Sequence, residues 1–191
     1  MDWASFRIYL RHAFRHLPWE QWLVIAVVAL VVSLAMKKMR GYSVSASIAL
    51  GFTVFFGLYM LGAMVLKRIG VQIEQHPEPN LVAEYHRLFH GDPEHWALML
   101  FNVLVFVPIG FSLSVFLSIA KRFRTKRSIG CVVLTAFLLS LSIESLQWVL
   151  RVGLFELTDM VLNTLGAFVG AAFAIAMRKL RIVSPQKNSL C

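Results

Sequence analysis

The sequence predicts an all-α, polytopic membrane protein with about five transmembrane helices and an N-terminal interfacial amphipathic helix. Of its 191 residues, 58% are hydrophobic and only 15% are charged, whereas soluble domains carry about 25% charged residues. The mean hydropathy is +0.69. The apolar residues also come in unbroken runs that are long enough to cross about 30 Å of hydrocarbon. The bilayer, rather than one packed core, must take up these runs.

The N-terminal segment, residues 1–18, is basic and amphipathic. Its apolar residues recur at spacings of three and four, while Arg7, Arg11 and Arg15 point elsewhere. This pattern predicts a helix that lies along the membrane surface, where contact with lipid headgroups is sufficient to explain it. The apolar face consists of Trp3, Phe6, Leu10, Ala13, Phe14 and Leu17.

A single transmembrane domain is predicted over residues 19–178, followed by a basic cytoplasmic tail over residues 179–191. The first span follows Pro18, a residue type suited to a first helical turn. The Lys37-Lys38-Met39-Arg40 run after it is a stop-transfer pattern and not a signal-peptide cleavage site. The expected spans are residues 19–36, 44–66, 96–120, 128–150 and 157–177.

The distribution of charge predicts the orientation of the spans. The chain has a net charge of +9, and residues 37–40, 121–127 and 178–187 carry three, five and four of its nineteen Lys and Arg residues. Cationic residues collect on the cytoplasmic side of membrane proteins. We therefore expect a multi-pass protein of the bacterial cytoplasmic membrane with an extracytoplasmic N-terminus and a cytoplasmic C-terminus. The basic excess then needs no nucleic acid as a partner.

The sequence favours neither a metal site nor a cofactor. The expected extracytoplasmic loop, residues 67–95, carries His76, His86, His90 and His95. His86 and His90 have a spacing that can place two ligands over one metal, but the pattern supplies no third ligand. Cysteine usage gives no basis for a disulfide framework.

Polar residues in the fourth span recur at spacings of four, three and four: Ser140, Glu144, Gln147 and Arg151. We interpret them as one polar stripe on an apolar helix. A charged side chain at the bilayer centre costs about 2.5 to 3.5 kcal/mol, so Glu144 needs a partner, protonation or a wet cavity. Arg151 and Gln147 are the nearest candidate partners.

The fifth span has a matching face, on which Asp159, Asn163, Gly166 and Gly170 recur at the same spacings. This face is polar at its outer end, and its glycines permit a close approach of helix backbones, which we expect to bring it near the fourth span. The third span adds Asn102 from the same side. These groups predict a ligand-binding cluster at the extracytoplasmic leaflet, made of Asn102, Glu144, Gln147, Arg151, Asp159 and Asn163. The alternative is that they only join helices by hydrogen bonds.

At these residues the sequence resembles the VanZ-like family of bacterial membrane proteins. The resemblance covers about residues 80–178 and is carried by the run from Asn102 to Phe111, by Ile143-Glu144-Ser-Leu-Gln147, and by the run from Asp159 to Ala167 with Gly170. The chain departs from the family at two places. Asn80-Leu81 is not followed by the Pro and Phe of a family motif, and Gly153 stands where the family has an Arg, the nearest being Arg151.

The resemblance implies a role in the cell envelope, since the family's namesake is associated with low-level resistance to the glycopeptide teicoplanin. We expect a non-enzymatic protein that contacts membrane lipids and binds a lipid-linked cell-wall precursor, a glycolipid or a glycopeptide. An oligomer is compatible with the sequence. Two alternatives remain open: an enzyme that acts on a lipid-linked substrate with Glu144 and Asp159 as acid and base, and a proton-linked transporter that uses Glu144.

Overall fold

The structure is a computed structural model that describes residues 19–65, 93–120 and 125–179. These residues form five helices and no strand: α1 (Trp19–Arg40), α2 (Val44–Met64), α3 (Pro93–Ile119), α4 (Thr125–Val149) and α5 (Leu157–Lys179). Each is long and apolar enough to cross a membrane. The predicted all-α class and the five spans are confirmed, with ends shifted by about a helical turn or less. The N-terminal segment, the side chains of the loop histidines and the tail beyond Lys179 lie outside the described residues.

Consecutive helices are antiparallel, so their ends fall into two groups. Near the C-terminus of α4, Gln147 donates a hydrogen bond to the carbonyl oxygen of Met64 at the end of α2. Asn102 in the first half of α3 bonds to Asp159 in the first turn of α5. We call this side the acidic end. The opposite side, the basic end, carries Lys37, Lys38, Arg40, Arg127, Arg178 and Lys179.

Helices α3 and α5 are in direct backbone contact at the centre of the bundle. A Cβ atom placed on Gly110 would overlap the carbonyl oxygen of Ala167 and lie 2.6 Å from that residue's carbonyl carbon. Cβ atoms on Gly166 and Gly170 would overlap backbone carbonyl oxygens of α3 in the same way. The glycine face of α5 therefore makes the expected close approach, but its partner is α3 and not α4.

Helix α1 lies at the edge of the bundle and packs on α2. Trp22 stacks on Tyr59 with ring centroids 4.5 Å apart, and the Ser33 hydroxyl donates to the carbonyl oxygen of Ser47 at 2.7 Å. Its remaining surface is apolar and exposed, as expected for a helix that faces lipid. The exposed side chains are Leu23, Val24, Val27, Val28, Leu30, Val31 and Leu34.

The contact between α3 and α5 predicts the outcome of adding a single methyl group. We expect Gly110→Ala to lower the free energy of unfolding by about 1 to 3 kcal/mol, because the new Cβ meets backbone that cannot rotate away. The matched control is Gly130→Ala in α4, where a Cβ has nothing within 4 Å and should instead stabilise the helix by about 0.5 to 1 kcal/mol. Reversible unfolding in mixed detergent micelles measures both changes. Equal changes in the free energy of unfolding for the two substitutions would contradict a direct backbone contact at Gly110.

Candidate functional site

The acidic end contains a short hydrogen bond between α3 and α5. Asn102 donates from Nδ2 to Oδ1 of Asp159 at 2.6 Å. Asn102 is buried with 9% of its surface exposed, while Asp159 is half-buried. Asp159 is the acidic residue in the first turn of α5, at the helix end where the dipole favours an anion. The pair therefore joins two helices and also presents a carboxylate at the end of the bundle.

Glu144 is almost completely buried, with 2% of its surface exposed. Its Oε2 accepts a hydrogen bond of 3.0 Å from the backbone N–H of Glu156, the residue just before α5. Backbone N–H groups at the start of a helix have no partner within the helix. Glu144 thus ties α4 to the segment that leads into α5.

Gln147 makes the corresponding connection to α2. Its side chain is 4% exposed, and its Nε2 donates to the carbonyl oxygen of Met64 at 2.9 Å. Met64 is the last residue of α2, and carbonyl groups at that position lack a partner within their own helix. The Gln147 amide therefore supplies the hydrogen-bond donor that the last carbonyl group of α2 lacks within its own helix.

Asn163 is the most deeply placed member of the predicted set and has no exposed surface. Its Nδ2 donates to the hydroxyl of Ser140 in α4 at 2.8 Å. Its Oδ1 is buried and has no hydrogen-bond partner within the described parts of the chain. A buried acceptor without a partner costs about 1 to 3 kcal/mol, so Asn163 offers an acceptor that a donor group would satisfy.

The spacing predicts that Arg151 continues the polar stripe of α4, but the structure shows that it does not. Helix α4 ends at Val149, and Arg151 has a φ of 56° and an exposed side chain. The Arg151 N–H bonds to the carbonyl of Trp148, and the Val152 N–H to that of Gln147. This is the Schellman pattern that ends helices, usually with Gly at the left-handed residue. The stripe therefore stops at Gln147, because the chain turns where the sequence offered no glycine as a signal.

Hydrogen bonds connect five of the six predicted residues to other segments of the bundle. The sixth, Arg151, lies in the turn between α4 and α5 and is exposed. The sequence reasoning missed two backbone partners, the N–H of Glu156 and the carbonyl of Met64. A signal for them existed in principle. Helix ends leave backbone groups unpaired, so polar side chains buried near the end of one helix are natural partners for the end of another.

These observations define a multi-pass, all-α membrane protein with a buried polar cluster at one end of a tightly packed helix pair. A sequence model of the VanZ/LLP1 family matches residues 22–178, and the chain belongs to this family. The match confirms the resemblance found at residues 80–178 and extends it to α1 and α2.

Protein VanZ of Enterococcus faecium is 34% identical to the chain over 74 residues, which are 38% of this chain and 40% of that protein. The chain thus spans about two fifths of the length of the curated relative it matches. No solved structure matches the chain.

The left-handed conformation of Arg151 predicts a stabilising substitution. A non-glycine residue in this conformation costs about 1 kcal/mol, so Arg151→Gly should raise the free energy of unfolding by about that amount. The matched control is Arg127→Gly, an exposed arginine in the first turns of α4, which should lower it by about 1 kcal/mol. Unfolding of both variants in detergent micelles measures the difference, and destabilisation by Arg151→Gly would count against the observed helix end.

The hydrogen bond between Asn102 and Asp159 predicts energetic coupling between α3 and α5. In a double-mutant cycle with Asn102→Ala and Asp159→Ala, we expect a coupling energy of about 1 kcal/mol, within the range for polar pairs in membranes. Asn102→Ala combined with Ser142→Ala is the control, since the Ser142 hydroxyl is exposed and bonds within α4. That pair should be additive to within about 0.5 kcal/mol. The same additivity for Asn102 and Asp159 would show that the contact contributes nothing.

Proposed function

We propose that this VanZ-family protein binds a polar or lipid-linked ligand at the extracytoplasmic leaflet of the bacterial cytoplasmic membrane and thereby contributes to glycopeptide resistance. One observation carries the proposal: buried polar side chains from three helices gather at the acidic end, around Glu144 and the pair of Asn102 and Asp159. Helix association alone does not require carboxylates, because neutral polar groups and small residues are sufficient for it.

The difference between the two ends supports the orientation. In the described residues, the basic end carries Lys and Arg side chains and no acidic residue, whereas Glu20, Glu144, Glu156 and Asp159 belong to the other side. Cytoplasmic ends of membrane spans are enriched in Lys and Arg. The polar cluster then faces the extracytoplasmic leaflet, where cell-wall precursors and glycopeptide antibiotics meet the membrane.

The chemistry of the cluster indicates the class of ligand. The half-buried carboxylate of Asp159 is an acceptor for hydroxyl or amide donors, and the exposed guanidinium of Arg151 suits a phosphate or carboxylate group. Further inside, the Oδ1 of Asn163 lacks a partner in the described residues and is an additional acceptor for such donors. A lipid-linked cell-wall precursor, an anionic glycolipid and a lipoglycopeptide all combine donors with an anionic group.

Charge removal at the acidic end tests the proposal. Glu144→Gln with Asp159→Asn keeps an acceptor oxygen at both positions, so the bonds from the Glu156 N–H and from Asn102 can persist. We expect a bacterial host that expresses this double variant to fall to the teicoplanin tolerance of a host without the protein, at an unchanged level of protein in the membrane. Full tolerance of the double variant would reject the proposal. The exposed Ser142→Ala variant is the control.

Arg151→Gly separates binding from folding in the same assay. This variant should be more stable than the wild type, yet it lacks the guanidinium that would meet an anionic ligand. Loss of tolerance therefore supports direct binding, since it cannot come from unfolding. Retained tolerance would remove Arg151 from the ligand site and leave the Asp159 side of the cluster as the binding surface.

A further inference from the structure

A groove with a cavity volume of about 360 Å³ runs between α1 and α2. It lies away from the polar cluster, toward the basic end, because Lys37 and Val44 line it near the turn that joins the two helices. Several wall residues are large apolar side chains that are more than half exposed. The apolar walls include Ala26, Ala29, Leu30, Leu34, Ile48 and Phe52.

The floor of the groove offers almost no free polar group. The hydroxyl of Ser33 already donates to the carbonyl oxygen of Ser47 at 2.7 Å. A Cβ atom on Gly51 would overlap the Ser33 hydroxyl oxygen, so this glycine keeps the two helices close at the same level. Among the residues that line the groove, Lys37 carries the only charge. The groove therefore suits a long apolar group with a negative charge at one end.

The length of the groove agrees with the thickness of one lipid leaflet. It extends from Ala26 to Lys37 on α1 and from Val44 to Phe55 on α2. At 1.5 Å per residue, either stretch is about 16 Å long. Half of a hydrocarbon core of about 30 Å is about 15 Å. Lys37 thus lies near the depth of the headgroups when the groove follows the acyl chains.

We propose that this groove is a binding site for an anionic phospholipid of the leaflet at the basic end, with one acyl chain between α1 and α2 and its phosphate on Lys37. Lys38 and Arg40 in the same turn add to the positive potential. An ammonium group supplies three donors to phosphate oxygens, and anionic lipids are attracted to Lys and Arg next to a span. The site is independent of the ligand proposed for the acidic end.

Native mass spectrometry of the purified full chain tests the headgroup. The probes are phosphatidylglycerol and phosphatidylethanolamine with identical acyl chains. We expect the wild type to bind the first phosphatidylglycerol more tightly. Lys37→Gln should weaken that binding about fivefold, the factor typical of one Lys near an anionic surface, and leave phosphatidylethanolamine unchanged. Lys38→Gln removes the same charge one residue away, outside the groove lining, and should change the binding less than twofold.

A second pair of variants tests the groove. Ala26→Phe places a ring in the groove, whereas Ala35→Phe adds the same ring at an exposed position of α1 that does not line it. Ala26→Phe should weaken the binding of both lipids several-fold, and Ala35→Phe should leave it unchanged. If Ala26→Phe fails to fold, Ile48→Trp fills the groove from α2. Equal losses of phosphatidylglycerol affinity for Lys37→Gln and Lys38→Gln would mean that the lipid is attracted to the basic end in general, which would overturn the proposal. Unchanged binding to a filled groove, or a dimer that the filled groove abolishes, would overturn the proposal.

Discussion

The backbone contact between α3 and α5 is the constraint on which the rest of the bundle depends. In a bilayer, lipid tails are as apolar as the helix surfaces, so the hydrophobic effect does not drive helices together and close packing must do so. Gly110, Gly166 and Gly170 allow carbonyl oxygens to approach where any side chain would overlap. The contact also sets the register. A shift by one turn, about 5.4 Å, would separate Asn102 from Asp159.

The polar cluster uses the ends of the helices that this contact aligns. Each of its buried side chains bonds to another segment: Asn102 to α5, Gln147 to the end of α2, Glu144 to the entry of α5 and Asn163 to α4. Their role in joining helices is thus compatible with a role in binding. Asp159 is half-buried and Arg151 is exposed, so a ligand of the proposed kind at the end of the bundle would meet these two side chains first.

The sequence predicted the parts of this arrangement that depend on length and spacing. Apolar runs located the five helices, and a recurrence of three and four residues placed Ser140, Glu144 and Gln147 on one buried face. Spacing tells which residues share a face but not which helix covers it. The glycine pattern of α5 therefore predicts contact with α4, whereas the structure shows contact with α3. Spacing also cannot detect a helix that ends without a glycine or proline, and for that reason Arg151 was placed in the stripe.

Helix α5 belongs both to the polar cluster and to the glycine contact with α3, and Asn163 lies between these two parts of the helix. On its outer side is Asp159, and on its inner side the glycine face leaves no space between α5 and α3. Asn163, one helical turn before Gly166 on this face, has no exposed surface, and its Oδ1 has no donor within the described residues. Because the oxygen is an acceptor, a hydroxyl or amide at the tip of the ligand would gain a hydrogen bond there, while a phosphate would not. Under the proposed function, the anionic part of the ligand would lie outside, beside Arg151, and its donors would point inward.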